Sequence, residues 1–404
     1  MARRDKRVSS RQQCLQNPAE LGESCCVPIV FPSASRLAER LVDSPGNKGL
    51  CRATDARGAP MTQASDSVAL LDRDMAAKNL SGYWSLGMEG LPPEPMTAIE
   101  PCLWKWSDVH ESLVRAGGVI SLENSERRVV RLVNPGLDRR HGFATHTLQI
   151  SFQYVKPGEN ARAHRHTPAA LRFVIEGNGA YTTVNGQQCV MEPGDLILTP
   201  KLTWHDHSNN SKQPMIWLDG LDFPLITALH QVMQERYPDR RQPIERTSEE
   251  VMSHLGSAIR HGVPLEDVFH YKWRDTEPVL RALTQNRSRR NPFDGYLLEY
   301  RSPLDGGPTM KTIGCAVQLL PPGERTETHR HTSTVIYHAF RGSGATQIAD
   351  RCFEWEQGDS FVVPLWYRHC HLNRSASDEA ILFSMSDAPV LKALDLYREE
   401  DASH

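Results

Sequence analysis

The chain has 404 residues, of which 39% are hydrophobic and 24% charged, and a formal net charge of −3. This length exceeds one typical domain and predicts two, while the near-neutral charge gives no indication of a nucleic-acid or membrane partner. No apolar run reaches the length of a transmembrane helix, and nine scattered cysteines without a CxxC pair indicate reduced thiols in a cytoplasmic protein.

The first 125 residues have little regular pattern. Residues 1–60 are rich in Arg, Ser, Pro and Gly and are expected to form a disordered leader, with Met61 as a second candidate start. Residues 61–125 are expected to combine short helices, over 67–79 and 108–116, with an irregular, proline-rich connector at 91–95. Regular β structure is therefore expected only after residue 125.

Strand patterns dominate residues 126–225. Within 147–155, Leu148, Ile150, Phe152 and Tyr154 alternate with polar residues, which predicts a strand with one apolar and one polar face. Short strands are predicted to follow at even spacing, over 171–175, 180–184, 195–199 and 215–218. Such spacing, with Gly, Pro and Asn turns between the strands, is typical of a small sandwich or barrel.

The remainder of the chain repeats this block. Residues 226–295 are interpreted as a linking region, 296–390 as a second strand-rich block and 391–404 as a C-terminal helix or tail. Gln153, 157–159, 164–167, Gly177 and Gly179 recur 165 positions later as Gln318, 322–324, 329–332, Gly342 and Gly344. After a one-residue deletion, 194–195, Pro200, His205, His207 and Asn209 recur as 358–359, Pro364, His369, His371 and Asn373. The sequence therefore predicts a duplicated β-domain.

Three histidines of the first block have the spacing of a metal site. His164 and His166 are two residues apart in a segment that leads into a strand, so both imidazoles project from one face of extended backbone. His205 follows 39 residues later, after another predicted strand. Three imidazoles from two neighbouring strands can occupy one face of Fe, Mn, Cu, Ni or Zn.

This spacing is that of the two-part cupin motif, G(x)5HxH followed by GD(x)4P(x)4H(x)3N. It is read in Gly158, His164, His166, Gly177, Gly194, Asp195, Pro200, His205 and Asn209. The match predicts an all-β bicupin, with one jelly-roll barrel in each block and the metal inside the barrel mouth. Many cupins place a metal-binding Glu shortly after HxH, but Ala170 and Leu171 occupy those positions here. Three neutral ligands leave the charge of a divalent metal uncompensated, which suits an anionic substrate that chelates it through two oxygens.

Longer segments resemble the gentisate 1,2-dioxygenase family, which includes salicylate and 1-hydroxy-2-naphthoate dioxygenases. The similar segments lie between about Leu80 and Glu400 and include 164–177, 204–207, 217–224, 360–364 and 383–389. The resemblance implies Fe(II) held by His164, His166 and His205, and O2 as a co-substrate. It also implies that an aromatic hydroxy acid such as gentisate is cleaved between its carboxyl- and hydroxyl-bearing carbons, in a homo-oligomer, commonly a tetramer.

Several polar residues are candidates for substrate contact or catalysis. Arg172 lies six residues after His166, so an unbroken strand turns it to the ligand face, where a guanidinium could bind a carboxylate in bidentate fashion. Arg127 could add positive potential over an anionic substrate, with one residue of the pair Arg127 and Arg128 facing solvent. Gln149 and Gln153 lie on the polar face of their strand.

The resemblance implies two further roles near the ligands. His207 would be an acid/base or hydrogen-bonding residue rather than a fourth ligand. Asp219 would support His207 from behind.

The second block keeps a full candidate metal site, His329, His331 and His369. Tyr337 stands at the position of Arg172, and Gly314 and Ala316 stand at those of Gln149 and Ser151. Because a carboxylate anchor is missing, this block is expected to be catalytically weak or silent.

Two alternatives stay open at this point. One is the same chemistry on salicylate, a substituted salicylate or 1-hydroxy-2-naphthoate. The other is a non-catalytic bicupin binding or storage protein.

Overall fold

The computed structural model describes residues 62–86, 91–122, 125, 127–251, 270–303 and 305–401. The expectation for residues 1–60 lies outside this part of the chain. Met1–Met88 and Glu89–His404 are separate units. In the first unit, helix α1 covers Thr62–Ala77 and a short 3-10 helix covers Tyr83–Leu86, so the helix predicted at 67–79 is confirmed.

The second unit begins with strand β1, Cys102–Trp104, and helix α2, Trp106–Val119. This helix contains the one predicted at 108–116. None of the helices in the described ranges is both long and apolar enough to cross a lipid bilayer.

Two six-stranded sheets follow, here called the first barrel, and they share a small apolar core. The strands are β2 Val129–Arg131, β3 Gln149–Val155, β4 Asn160–His166, β5 Ala170–Glu176, β6 Tyr181–Val184, β7 Gln187–Val190, β8 Leu196–Thr199, β9 His205–Ser208, β10 Met215–Leu221, β11 Gln234–Arg236, β12 Arg246–Thr247 and β13 His270–Tyr271. Their order is β13-β8-β5-β10-β3-β2 in one sheet and β11-β4-β9-β6-β7-β12 in the other. The five strands predicted in this region are confirmed as β3, β5, β6, β8 and β10. Helix α3, Phe223–Ala228, follows β10.

The second barrel repeats the arrangement. After helix α4, Trp273–Thr284, and a 3-10 turn, Arg287–Arg289, come β14 Tyr296–Tyr300, β15 Gly314–Leu320, β16 His329–His331, β17 Val335–Arg341, β18 Gly344–Ile348, β19 Arg351–Trp355, β20 Ser360–Val363, β21 His369–Leu372, β22 Ala380–Ser386, helix α5 Ala388–Ala393 and β23 Glu399–Asp401. The sheet orders are β1-β20-β17-β22-β15-β14 and β19-β18-β21-β16-β23. The segment expected as a C-terminal helix or tail thus supplies an edge strand to the second barrel.

Strand β3 shows why the barrels are packed together. Its apolar residues Ile150 and Phe152 are fully buried in an apolar cluster that both barrels share. Its polar residues Ser151 and Gln153 are also buried, on the face that lines the first barrel. In the same cluster, the ring of Phe173 on β5 stacks on Phe383 of β22 with 4.1 Å between ring centroids. The apolar faces of the two sheets therefore cover each other, and the polar faces are left for the barrel interiors.

Each half of the chain also lends a strand to the other barrel. Strand β1 comes before the first barrel in the chain but pairs with β20 of the second barrel. Strand β13 comes just before the second barrel in the chain but pairs with β8 of the first barrel. The helix after each of these strands packs against the other barrel from its strand: α2 contacts β2 and β3 of the first barrel, and α4 contacts β14 and β15 of the second barrel. The two barrels are consequently linked by a reciprocal exchange.

The Gly-Asp pair of each cupin motif anchors this exchange. The backbone N–H of Trp106 donates to Asp359 Oδ1, and that of Trp273 donates to Asp195 Oδ1, each at 2.8 Å. The preceding Gly358 and Gly194 have φ of +92° and +89°, and a Cβ there would lie 2.5 and 2.6 Å from the Trp106 and Trp273 rings. Only glycine fits both the backbone conformation and the approach of the indole.

Candidate metal centre and active site

Strand pairing brings the first three histidines together. His164 and His166 project from the same face of β4, and His205 on the neighbouring strand β9 pairs directly with His164. The ring centroids of His164 and His205 are 4.3 Å apart, and those of His166 and His205 are 4.8 Å apart. One nitrogen from each ring lies within 4.8 Å of the others, so the three rings could share one metal ion.

Backbone carbonyls fix the orientation of these rings. The Nδ1 atoms of His164, His166 and His205 lie 3.1, 2.7 and 3.0 Å from the carbonyl oxygens of Arg162, Pro168 and Thr203. Because a carbonyl only accepts, each Nδ1 carries the proton, and each Nε2 has the lone pair that a metal would use; on His164 that lone pair accepts from the Arg127 guanidinium in this structure. Nε2 of His205 is buried and has no hydrogen-bond partner among the described residues.

The same rings are held in their neutral, metal-binding form. Burial, with the nearby Arg127 guanidinium, lowers the pKa of His164 to about 2. Burial lowers the pKa of His166 to about 4 and holds that of His205 well below its usual range. Neutral imidazole is the form that ligates metals, so this site fits a divalent ion.

The second barrel forms a matching triad. His329 on β16 pairs with His369 on β21, with ring centroids 4.3 Å apart, and His331 lies 5.0 Å from His369. Nδ1 of His331 and His369 face the carbonyl oxygens of Ser333 and Tyr367 at 2.8 and 3.1 Å. Nε2 of His329 and His369 are buried without a hydrogen-bond partner in the described chain, so this site also fits a metal ion.

Arg172 faces the first triad from the opposite sheet. It is buried on β5, donates from Nη1 to Thr199 Oγ1 at 2.9 Å and lies with Nε 3.5 Å from Asp219 Oδ1. Strand pairing sets this contact, because Asp219 on β10 lies directly opposite Arg172. Burial raises the pKa of Asp219, and the Arg172 guanidinium opposes that rise. The charge of Arg172 is therefore already offset by a neighbouring carboxylate.

Arg127 contacts the histidines directly. Its Nη2 lies 2.8 Å from His164 Nδ1 and 3.0 Å from His164 Nε2, and its Nη1 lies 3.1 Å from His207 Nε2 and 3.4 Å from Gln153 Oε1. Arg128 turns the other way: it is buried, forms an ion pair with Glu159 and lies over the Tyr154 ring. The expectation that one of the two arginines faces solvent is wrong, because Arg128 is buried and the half-buried Arg127 contacts His164 and His207.

The hydrogen-bond partner of His207 is Thr182 and not the predicted Asp219. Its Nδ1 lies 2.9 Å from Thr182 Oγ1, whereas Asp219 accepts from Trp217 Nε1 at 3.1 Å and lies against Arg172. The sequence does carry a signal for Thr182: after the one-residue deletion it recurs as Thr346, whose Oγ1 lies 3.0 Å from His371 Nδ1. Burial holds the pKa of His207 well below its usual range, so this ring is neutral.

The two glutamines of β3 differ in their surroundings. Gln153 is buried, and its Nε2 has no hydrogen-bond partner among the residues described. Gln149 begins the strand, is half-buried and shares a face with Gln153. Gln153 and Arg127 form a polar wall beside His164, and Gln149 lies further along the same strand face.

A cavity of about 380 Å³ opens onto the second triad. It is lined by His329 and His331, by the positions Gly314, Ala316 and Gln318 of β15, and by Tyr337. This volume lies within the range of small-molecule sites.

Several known proteins that are similar to this chain in sequence or structure are dioxygenases. The cupin domain family matches residues 151–220 and 316–386, which confirms the predicted bicupin class. A 5-aminosalicylate 1,2-dioxygenase from Comamonas sp is 38% identical over 82% of this chain and 89% of its own. A gentisate 1,2-dioxygenase from Aquipseudomonas alcaligenes is 36% identical over 80% of this chain and 94% of its own. The structure of salicylate 1,2-dioxygenase from Pseudoaminobacter salicylatoxidans with gentisate has a TM-score of 0.75 and 28% identity, covering 87% of this chain and 98% of its own.

Proposed function

The chain belongs to the gentisate 1,2-dioxygenase family of bicupin ring-cleaving dioxygenases, and on that premise we propose that its own substrate is gentisate, 2,5-dihydroxybenzoate. The ring is cleaved between the carboxyl-bearing carbon and the neighbouring hydroxyl-bearing carbon, which gives maleylpyruvate. Both atoms of O2 enter the product, so the reaction balances without an external reductant.

The observation that supports this proposal most is a guanidinium in contact with an all-histidine triad. Arg127 lies within 3.1 Å of nitrogens of His164 and His207. No carboxylate belongs to the histidine cluster in the described residues. Such a site attracts a bidentate anion, and a 2-hydroxybenzoate offers a carboxylate and an ortho hydroxyl.

We propose Fe(II) as the metal for His164, His166 and His205. Three neutral nitrogen ligands suit a divalent iron with open positions. When bound, iron supplies the O2-binding and electron-transfer chemistry that ring cleavage requires.

The remaining roles belong to the protein. Arg127 binds the substrate carboxylate, and Arg172, held between Thr199 and Asp219, forms part of the wall that faces the triad. His207, held by Thr182, offers the lone pair of Nε2 as the acceptor of a hydrogen bond from the ortho hydroxyl. The Nε2 amide of Gln153, which lacks a partner among the described residues, donates a hydrogen bond to the bound reactants. Gln149, on the same strand face as Gln153, is a further candidate for substrate contact.

A second candidate substrate is 5-aminosalicylate. The relative that acts on it shares 38% identity with this chain. Its amino group, like the second hydroxyl of gentisate, lies para to the first hydroxyl and makes the ring electron-rich. Cleavage of either substrate therefore requires the same chemistry at the site.

Oxygen uptake tests the proposal directly. Protein purified anaerobically and loaded with Fe(II) is expected to consume one O2 per gentisate and to release maleylpyruvate, detected by its ultraviolet absorbance. Parallel assays with 5-aminosalicylate and salicylate rank the substrates by kcat/KM. Protein that carries zinc only, and gains no turnover on addition of Fe(II), would contradict the assignment of iron.

The ligand set has its own test. His164→Ala, His166→Ala and His205→Ala are each expected to lose bound iron and to abolish turnover, because a three-ligand site loses affinity steeply when one ligand goes. His110→Ala, on the surface of α2, is the matched control and is expected to keep both. Iron content and oxygen uptake are measured on the same preparations.

A further inference from the structure

The two triads differ most at one equivalent pair of histidines. In the first barrel Nε2 of His164 accepts from the guanidinium of Arg127 at 3.0 Å. In the second barrel the equivalent His329 is contacted by the carboxylate of Glu399, with Nδ1 and Oε1 2.9 Å apart. A cation beside one triad is thus replaced by an anion beside the other.

Glu399 lies on an edge strand that both barrels have. Strand β11 pairs with β4 so that Gln234 lies opposite His166, and β23 pairs with β16 so that Glu399 lies opposite His331. The next residues along, Glu235 and Glu400, each pair with the arginine between the two histidines. The strands therefore correspond residue by residue, and Glu399 stands where the first barrel has a neutral glutamine.

Glu399 is held in position at both oxygens. Oε2 accepts from the Tyr397 hydroxyl at 3.0 Å, and Oε1 accepts from His329 Nδ1. The His329 ring is also stacked on Phe293, with centroids 4.6 Å apart. With its proton on Nδ1, His329 directs the lone pair of Nε2, which is buried without a partner in the described chain, toward His331 and His369.

We propose that the second barrel is a metal centre in its own right, that Glu399 is the positioning residue that strengthens it through His329, and that this centre rejects carboxylate ligands. A carboxylate hydrogen-bonded to a ligating imidazole fixes its tautomer and raises its basicity, and removing such a partner commonly weakens metal binding about tenfold to a hundredfold.

The surrounding cavity supports the rejection of carboxylates. Tyr337 replaces Arg172, and Gly295 stands at the position of Arg127, since Val129 and Leu297 lie opposite the equivalent glutamines on β3 and β15. The cavity is lined instead by Asp294 and Glu399, close to the triad.

Two cations also line this cavity. Arg301 forms an ion pair with Glu299, and Lys392 lies over the Tyr397 ring. Neither cation contacts His329, whereas a carboxylate near that ring would meet the like charges of Asp294 and Glu399, which repel it.

The metal test uses the full chain with the first triad disabled. His205→Ala protein, loaded anaerobically with Co(II) and desalted, is expected to keep close to one Co(II) per chain and its visible spectrum. Adding Glu399→Gln is expected to weaken Co(II) affinity about tenfold to a hundredfold in a chelator competition. Glu400→Gln, one residue along the same strand, is the matched control and is expected to leave the affinity unchanged. Tyr397→Phe, which releases only one oxygen of Glu399, is expected to have a smaller effect.

Two results would overturn the metal centre. His205→Ala protein that is folded by circular dichroism but retains no Co(II) rules it out, and equal affinities for the Glu399→Gln and Glu400→Gln variants rule out the role of Glu399. For the ligand, millimolar salicylate is expected to leave the Co(II) spectrum of His205→Ala protein unchanged, and a spectral shift would overturn the rejection of carboxylates. These measurements do not depend on turnover, so they stand apart from the proposed ring cleavage.

Discussion

Two adjacent arginines divide binding and stability between them. Arg127 contacts His164 and His207, whereas Arg128 is buried against Glu159. We expect Arg127→Ala to lower kcat/KM for gentisate on the order of a hundredfold with little change in Tm, because a charge-assisted contact with a carboxylate contributes about 2–3 kcal/mol. Steady-state kinetics and thermal unfolding measure the two effects.

The neighbouring substitution is the matched comparison. Arg128→Ala leaves Glu159 without its buried partner and is expected to lower the free energy of unfolding by about 3 kcal/mol. Its kcat/KM per folded molecule is expected to stay within a few-fold of the parent. If Arg128→Ala lowered kcat/KM without changing the free energy of unfolding, and Arg127→Ala did the reverse, the roles of the two side chains would have been assigned the wrong way round.

Residue spacing predicts the ligands but not their surroundings. Strand geometry makes HxH project from one face, so the triads could be derived from the sequence alone. The partner of Asp219 depends on which residue of β5 lies opposite it, and local sequence does not encode that register. Likewise, Arg127 lies just before a three-residue strand, too short for a pattern to say which way each arginine turns.

At the scale of elements, the Gly-Asp turns connect the barrels. Asp195 accepts from the backbone of Trp273 and contacts His270, and Asp359 accepts from the backbone of Trp106 and pairs with Lys105. We expect Asp195→Ala and Asp359→Ala each to lower the free energy of unfolding by about 2–4 kcal/mol, since donors that are buried at Asp195 and partly buried at Asp359 lose their acceptor. The exposed Asp378→Ala serves as the control, with a change below about 0.5 kcal/mol in urea unfolding.

Long strands were predictable, and the exchanged strands were not. The strand over 147–155 has an alternating pattern long enough to recognise, whereas β1 and β13 have three and two residues. A weaker signal exists in the sequence: Lys105, Trp106 and Asp108 recur as Lys272, Trp273 and Asp275. This repeat extends the duplication beyond the barrels and marks the strand–helix pairs that cross between them.

The barrels themselves are expected to contribute unequally to turnover. His329→Ala or His369→Ala should leave most gentisate turnover intact, because the second barrel has Tyr337 and Gly295 in place of the two arginines of the first. His205→Ala should remove turnover altogether. Activities are compared only among variants whose circular dichroism spectra show that they are folded to the same extent as the parent. Second-barrel variants that are folded, iron-loaded in the first barrel and inactive would contradict a single catalytic barrel.

At the scale of the whole molecule, neither barrel is complete alone. Each needs a strand from the other half, and both cover one apolar face in the shared cluster around Phe173 and Phe383. Fragments 61–260 and 261–404 are therefore expected to aggregate when expressed singly, because an exposed apolar sheet invites association.

The same two fragments are expected to assemble when they are produced together. A tag on one fragment should recover the other, and the complex should take up oxygen with gentisate as the intact chain does. Gel filtration and oxygen uptake check both points. A single fragment that is soluble, monomeric and cooperatively folded would contradict the interdependence of the barrels.

The reciprocal exchange of β1 and β13 bears on the kind of single-barrel ancestor from which the duplicated chain could arise. A chain of one barrel with the same strand and helix could complete its sheet only by trading that strand with a second copy, as two-fold symmetric, domain-swapped homodimers do. Duplication with fusion keeps that symmetry inside one polypeptide and frees the two copies to diverge. Once joined, one descendant could keep arginines beside its histidines while the other acquired a glutamate, a division of labour that identical subunits of a homodimer cannot have.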